Sequence, residues 1–394
     1  MNIIFDLFSS QPFSPYAKFN GGGQYVKSIF KHFILENQYH KNKIYCTYNS
    51  IFYLDDEISS LCVRYEIELL DINVFDINYY ISIHNIEKVF IGILQRYLNL
   101  ELPIDVKLII VVHDMRDLEI LPTKEELFYL SRLNGIKSII KLSVILIFYC
   151  LWKRYRNYKN LEAYNSVFNY LNKNNSEIWT VSNHTKNLIL SKFSFLDQDK
   201  IKIFWSPEIK VNSPILKIPS VENLQFFMLV SCDHWEKNTL NIINSFILFN
   251  KNKLKKINLV IVGDLSDTPL ECKIKKYGWI YNFSNLEESQ IEWLYSQTEM
   301  LIYLSYVEGF GYPPINAMKY GKPILASATS SIMEICGNAP IYCCPYSKSE
   351  VLARINYVMN NDISHFRQES IKRHTQILNK QRVDLTSMTC ILHN

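Results

Sequence analysis

A loop of four residues, Glu308–Gly311, places a carboxylate beside two glycines. The apolar run Met300–Leu304 before it predicts a buried strand, and Pro313 after it fits the first turn of a helix. Ligands of open parallel sheets bind beyond the carboxyl ends of the strands. Glycines there let the backbone approach a ligand, and free amides at a helix start favour an anionic or hydroxyl-rich group. Taken alone, the loop fits either such a site or a plain strand–turn–helix connection with an exposed Glu.

The longer segment Val307–Glu334 resembles the donor-site signature of family-four retaining glycosyltransferases (glycosyl transferases group 1). The signature runs Glu-Gly-Phe-Gly-x-Pro-x-x-Glu-Ala-Met, then Gly-x-Pro-(Val/Ile)-(Leu/Val)-Ala-Ser, then Pro-Glu. The matching residues are Glu308–Gly311, Pro313, Ala317–Met318, Gly321, Pro323–Ser327 and Glu334. The resemblance implies that Glu308 contacts the donor sugar. It also implies that Gly309, Phe310, Gly311 and Tyr312 contact the sugar and phosphates.

One position departs from that signature. The second Glu of its Glu-x7-Glu pair, which binds the ribose hydroxyls in the family, is Asn316 here. Asn can donate and accept hydrogen bonds, but it forfeits a charge-assisted bond. Asn316 is therefore expected to bind the donor less strongly or in a different arrangement.

A second candidate is Lys237, in the stretch Val230–Asn238 between a predicted strand and a predicted helix. It is either a solvated surface Lys, mildly disfavoured at a helix start, or a cation for a phosphate. The stretch resembles the family's "EKN" element, whose Lys neutralises the donor diphosphate. By that resemblance, Lys237 stabilises the charge on the departing nucleoside diphosphate. Many relatives carry Arg where this chain has Cys232.

The first half of the chain offers a glycine-rich turn and a histidine. Gly22 and Gly23 precede the helical pattern Val26–Phe33 and resemble the family's N-terminal Gly-Gly-x-Gly-x-Tyr loop, with Asn20 in place of its first Gly. They are expected across a cleft from the donor diphosphate. His113 directly follows the apolar strand Leu108–Val112, and a lone His at the end of a strand is more often structural than functional. The family has a His-Asp here, which implies that His113 lies near the donor sugar.

Short apolar runs that alternate with longer helical patterns predict βαβ units and parallel sheets. The prediction is an α/β protein of GT-B architecture, with two Rossmann-like doubly wound domains facing a central cleft. The proline-containing stretch Ser206–Val221 lacks periodicity and predicts a linker. The expected division is an N-terminal, acceptor-side domain (1–207), a linker (208–224), a C-terminal nucleotide-sugar domain (225–370) and a tail (371–394) that could pack back on the first domain.

Composition narrows the class of partner. With 48% hydrophobic and 20% charged residues the chain can build ordinary cores, and a net charge of +4 does not favour nucleic acid. Nine scattered cysteines and a start without a basic leader indicate a cytoplasmic protein. The apolar segment Ile136–Trp152, followed by a basic cluster to Lys159, is too interrupted to span a bilayer. It predicts a buried helix or an interfacial one that makes peripheral membrane contact through 136–159, on the inner face of the cytoplasmic membrane.

These features predict a retaining hexosyltransferase that moves a sugar from a UDP-, GDP- or similar nucleotide to an acceptor hydroxyl. The expected acceptor is a carbohydrate or a lipid-linked oligosaccharide, in surface polysaccharide, O-antigen or other glycan assembly. No Asp-x-Asp-type metal site accompanies the donor loop, so neither a metal nor a cofactor is expected. Two alternatives remain open: a GT-B sugar-nucleotide epimerase, and a non-catalytic sugar-nucleotide binder in a glycan-synthesis complex.

Overall fold

The computed structural model describes residues 1–12, 21–210 and 214–394. Thirteen strands and fifteen α-helices are formed within these ranges. The strands are β1 (Asn2–Asp6), β2 (Lys43–Tyr48), β3 (Glu68–Asp71), β4 (Lys88–Ile91), β5 (Lys107–Val112), β6 (Ser176–Thr180), β7 (Ile201–Ile203), β8 (Phe226–Val230), β9 (Asn258–Val262), β10 (Ile280–Phe283), β11 (Met300–Tyr303), β12 (Ile324–Ser327) and β13 (Ile341–Cys343).

The helices range from 4 to 30 residues in length. They are α1 (Gly21–His40), α2 (Asp56–Arg64), α3 (Ile77–His84), α4 (Arg116–Glu119), α5 (Lys124–Leu130), α6 (Ile136–Ile147), α7 (Tyr149–Lys173), α8 (Asn183–Lys192), α9 (Thr239–Asn250), α10 (Pro269–Ile274), α11 (Glu288–Gln297), α12 (Tyr312–Lys319), α13 (Ile332–Cys336), α14 (Lys348–Asn360) and α15 (Ser364–His393). In the described part of the chain, none is both long and apolar enough to cross a membrane.

The chain forms two compact units. The first comprises Met1–Met115, Lys159–Ile209 and Leu378–Asn394, and the second comprises Arg116–Tyr158 and Lys210–Ile377. The first contains a seven-stranded parallel sheet in the order β3-β2-β1-β4-β5-β6-β7. The second contains a six-stranded parallel sheet in the order β10-β9-β8-β11-β12-β13. The prediction of two doubly wound parallel sheets is confirmed.

The order of the second sheet has a direct consequence for function. From β8 the chain winds outward to β9 and β10, and then returns to place β11 on the other side of β8. The register pairs Met300 with Phe227 and Leu301 with Met228. All five β8 residues are buried, as expected for a central strand covered on both faces. A crevice beyond the carboxyl ends of strands forms at such a reversal of strand order, where ligands of this type of sheet bind.

Residues Arg116–Tyr158, between β5 and β6, lie with the second unit, whereas the sequence placed the whole of 1–207 in one domain. Tyr129 and Leu130 of α5 pack against the core of the second unit. The Lys273 ammonium of α10 lies 4.9 Å from the centre of the Tyr129 ring. The division follows from these side-chain contacts between residues far apart in sequence, which no local pattern reveals.

The end of α15 packs within the first unit. The Trp205 amide donates to the Asp384 carboxylate at 2.7 Å. The buried Lys88 ammonium donates to the last carbonyls of the helix, among them that of Ile391 at 3.0 Å. His393 stacks between Phe33 and His40, with ring centres 4.3 and 4.2 Å away. The final residues of the chain are therefore part of the core of this unit.

We predict that His393 makes the protein sensitive to acid. Burial, and then the neighbouring charge of His40, lower the pKa of His393 to about 4, below the ordinary value of about 6.5. Between these values the unfolded chain binds a proton that the folded protein does not. The free energy of unfolding therefore falls as the pH drops from 6.5 to 4, by up to about 1.4 kcal/mol per pH unit. Urea unfolding of parent and His393→Phe over this range measures the effect. The free energy of unfolding of His393→Phe should depend less steeply on pH than that of the parent. If both proteins show the same pH dependence, His393 is not the group responsible.

Candidate donor site in the second unit

Two loops meet at the carboxyl edge of the second sheet. The first follows β8 and contains a short 3-10 turn, Trp235–Lys237. The second follows β11 and contains Glu308. Because β8 and β11 are neighbours, their loops emerge side by side. The ammonium of Lys237 and the carboxylate of Glu308 form an ion pair at 2.5 Å, with side chains only 15% and 12% exposed. The structure thus brings together the two charged residues that the sequence singled out in this half of the chain.

The environment keeps Glu308 ionised. Burial by itself raises the pKa of the carboxyl group, but the charge of Lys237 and its hydrogen bond lower it, and the hydroxyl groups of Ser305 and Tyr303 act in the same direction. The net result is a pKa below the ordinary value for Glu. Burial raises the pKa of Tyr303 well above its usual range, so its phenol stays neutral. The Lys237 ammonium lies 5.4 Å from the centre of the Tyr303 ring.

A neighbouring loop fixes the backbone of Glu308. The Glu308 amide donates to the Ser330 hydroxyl at 3.0 Å, and the Ser331 hydroxyl donates to the Glu308 carbonyl at 2.8 Å. In the same way the Ser327 hydroxyl donates to the Ser305 carbonyl at 2.6 Å. Sequence reasoning included Ser327 in the signature but missed Ser330 and Ser331 as supports. The run of small hydroxyl residues after a strand adjacent to β11 was the available signal.

Gly311 starts helix α12 with a backbone angle that favours glycine. Its φ of 90° and ψ of 72° lie in the left-handed region. Phe310 is buried, with its ring edge-on to that of Tyr312 at 5.5 Å. Gly309 precedes them in the same loop. Helix α12 starts with Tyr312 and two prolines, and because proline has no N–H its first turn offers few amides to an anion.

Asn316, at the unusual position in the signature, lies one turn further along α12. It lies beside the hydroxyl group of the buried Tyr295 on α11, where it lowers the pKa of that phenol against the larger, opposite effect of burial. The sequence alone did not indicate this neighbour on α11.

Glu236 was missed by sequence reasoning, although it is buried beside Lys237. Its carboxylate forms an ion pair with Arg116 of α4. Its carbonyl accepts a hydrogen bond from the Tyr306 amide at 2.8 Å, which ties the loop after β8 to the loop after β11. Tyr306 also stacks on Tyr346 at 4.9 Å. The arrangement holds the turn that carries Lys237 from both sides.

The remaining predicted residues lie in the first unit. His113 follows β5, where its Nε2 is 2.9 Å from the Gly92 carbonyl and its ring meets that of Tyr25 edge-on at 4.7 Å. Gly22 and Gly23 form the first turn of α1, just before Tyr25. His113 and the start of α1 are therefore close together. The preceding Asn20 lies outside the described residues. Gly92 is required here, because a Cβ would lie 2.2 Å from a Val26 methyl group.

Within residues 1–12, 21–210 and 214–394, no three His, Cys, Asp or Glu side chains cluster in a way that could hold a metal ion. The described polar groups of the second-unit site are instead a buried Lys–Glu pair and hydroxyl groups. Such groups can neutralise a phosphate and hold hydroxyl groups of a sugar.

Two doubly wound parallel sheets in this order define the GT-B fold. Solved structures agree. HepE from Anabaena, in complex with UDP and glucose, has a TM-score of 0.65 at 13% identity, covering 100% of this chain and 99% of that one. WaaG, a glycosyltransferase involved in lipopolysaccharide biosynthesis, has a TM-score of 0.60 at 13% identity, with 99% of each chain covered.

The family match lies in the second unit. Residues 216–376 match the family "Glycosyl transferases group 1", which confirms the predicted resemblance for this region. O-antigen chain mannosyltransferase B of Escherichia coli is 23% identical over 47% of this chain and 52% of its own length. O-antigen chain mannosyltransferase RfbU of Salmonella typhimurium is 29% identical over 43% of this chain and 46% of its own. The chain thus spans about half the length of these curated relatives.

Proposed function

We propose that the protein is a glycosyltransferase that moves a hexose from a nucleoside diphosphate to an acceptor hydroxyl, with retention at the anomeric carbon. The observation that carries this proposal is the buried Lys237–Glu308 pair at the carboxyl edge of β8 and β11. The match of residues 216–376 to group 1 glycosyl transferases supports it.

In the proposed reaction, the bond between the anomeric carbon and the diphosphate oxygen breaks, and the acceptor oxygen bonds to that carbon. The acceptor proton passes to the departing phosphate. Lys237 and the amides of the Glu308–Gly311 loop stabilise the negative charge that grows on the diphosphate. Glu308, held ionised, accepts hydrogen bonds from sugar hydroxyls. No divalent cation is part of the proposal, because Lys237 supplies the positive charge.

The roles of the first-unit residues belong to the same proposal. His113 contacts the donor sugar, and Gly22 and Gly23 contact its diphosphate. Gly309, Phe310, Gly311, Tyr312 and Asn316 complete the donor contacts. The proposed substrates are a sugar nucleotide of the UDP, GDP or similar type and a carbohydrate or lipid-linked acceptor in surface-glycan assembly. In support, HepE binds UDP and glucose, and two of the similar proteins are O-antigen chain mannosyltransferases.

The test is transfer from a panel of labelled UDP- and GDP-hexoses to glycan acceptors, with released nucleoside diphosphate as the second readout. We expect one donor to be consumed with equal amounts of glycosylated product and nucleoside diphosphate. Binding of a nucleoside diphosphate with neither transfer nor hydrolysis would overturn the proposal. It would favour a non-catalytic binder, for which Asn316, in place of the second Glu of the signature, provides a specific reason.

A further inference from the structure

An exposed apolar face lies on α6 and the first turns of α7, in the part of the chain that belongs to the second unit. Ile136, Ile147 and Leu151 are 76%, 71% and 67% exposed. We define the α6–α7 patch by Ile136, Ile140, Val144, Ile147, Leu151 and Tyr155, all of them exposed. The spacing 136, 140, 144 and 147 puts the α6 members on one side of the helix.

The opposite side of this helical segment holds it in place. Leu142 of α6 is buried. The Tyr149 hydroxyl donates to the Pro122 carbonyl at 2.8 Å. The patch is therefore presented outward by a helix that is already fixed on its inner side, and its exposure does not result from a detached segment.

The charge around the patch has a single sign. From Leu127 to Leu161 the chain contains seven Lys and Arg residues and no Asp or Glu. Arg132, Arg156 and Lys159 pair with acidic residues elsewhere. The other four are exposed and form no ion pair with any residue that the structure describes: Lys137, Lys141, Lys153 and Arg154.

We propose that the α6–α7 patch docks on an anionic lipid surface, with its aliphatic side chains in the boundary between headgroups and acyl chains. Unpaired cations beside an exposed apolar helix face are complementary to such a surface. Tyr155 and Tyr158, both exposed, add the aromatic groups that favour this boundary. A second copy of the chain is a poor partner, because face-to-face contact would bring two sets of four unpaired cations together. With 12 residues, α6 lies along the surface and does not cross it.

Co-sedimentation of the full chain with vesicles tests the proposal. The experiment uses no sugar substrate, so its result does not depend on the proposed sugar transfer. The parent should bind phosphatidylcholine–phosphatidylglycerol vesicles and bind pure phosphatidylcholine vesicles far more weakly. The quadruple variant Lys137→Gln/Lys141→Gln/Lys153→Gln/Arg154→Gln should lose roughly a hundredfold or more in partition coefficient, because each basic residue near the surface contributes about fivefold. The double variant Ile140→Ser/Val144→Ser should also bind less.

The matched control removes four exposed lysines from other parts of the second unit: Lys251→Gln/Lys255→Gln/Lys276→Gln/Lys348→Gln. It changes the net charge equally and should bind like the parent. All substitutions are at exposed positions or, for Ile140 and Val144, on the outer face, so thermal unfolding should be unchanged. The proposal is overturned if the parent binds neither vesicle, or if both quadruple variants lose binding equally. It is also overturned if the patch variants abolish self-association while vesicle binding persists.

Discussion

Lys237→Met should lower kcat/KM for sugar transfer by about 100- to 1,000-fold, since removal of one preorganised group that stabilises transition-state charge has an effect of this size. In the free protein Lys237 pairs with Glu308, so the cation is already in place when the diphosphate arrives. The charge on the diphosphate is greatest as the glycosidic bond breaks, and the loss should therefore fall mainly on kcat. Initial rates with saturating acceptor and varied donor measure it.

The control for this experiment is Lys319→Met. Lys319 also pairs with a buried carboxylate, that of Glu292 on α11, but from the last turn of α12. The start of the same helix lies at the sheet edge, so Lys319 is about 10 Å further along the axis. Lys319→Met breaks a similar ion pair without removing the proposed phosphate ligand. Equal rate losses in the two variants would show that Lys237 has only a structural role.

The second large effect concerns stability. Lys237→Met leaves Glu308 buried without its cation and should lower the free energy of unfolding by about 3 kcal/mol at neutral pH. The double variant Lys237→Met/Glu308→Gln should recover much of this loss, because a neutral amide has a smaller desolvation penalty than a carboxylate. Urea unfolding of the parent, both single variants and the double variant gives the coupling energy directly.

The stability difference between the parent and Lys237→Met should change with pH in a defined direction. In the parent the pKa of Glu308 is lowered, so its contribution to stability is present above the ordinary Glu pKa and is lost as the pH falls through the lowered value. In Lys237→Met, burial raises the pKa instead, and protonation relieves the penalty as the pH falls. The stability gap between parent and variant should therefore narrow in acid. A constant gap would mean that Glu308 does not carry the charge assigned to it.

The strands and the donor loop could be predicted because their signals are local. The strand predicted at Leu108–Val112 is observed at Lys107–Val112, and the strand predicted at Met300–Leu304 is observed at Met300–Tyr303. The position of Glu308 after a predicted strand was enough to predict that it lies at a sheet edge. Its proximity to Lys237 depends on the strand order, in which β8 and β11 are neighbours. Short elements escaped prediction: β3 has four residues and β13 three, too few to show a period.

The supports of the site could not be predicted, because they join distant parts of the chain. Arg116 reaches Glu236, and Ser330 holds the amide of Glu308. The Asn316–Tyr295 contact joins two helices. For Ile136–Trp152 the sequence did not decide between a buried helix and an interfacial helix. The structure shows that one face of this segment is exposed. Such contacts depend on how the helices pack on the sheet, which composition and spacing do not specify.

Calorimetric titration of the matching sugar nucleotide into three proteins tests the central claim most directly. The parent and Lys319→Met should bind it with the same affinity, while Lys237→Met should bind at least about tenfold more weakly, since a charge-assisted contact to phosphate is worth about 1.5–3 kcal/mol. Equal affinity of Lys237→Met and the parent would contradict the account, because the Lys237–Glu308 edge would then not be the donor site.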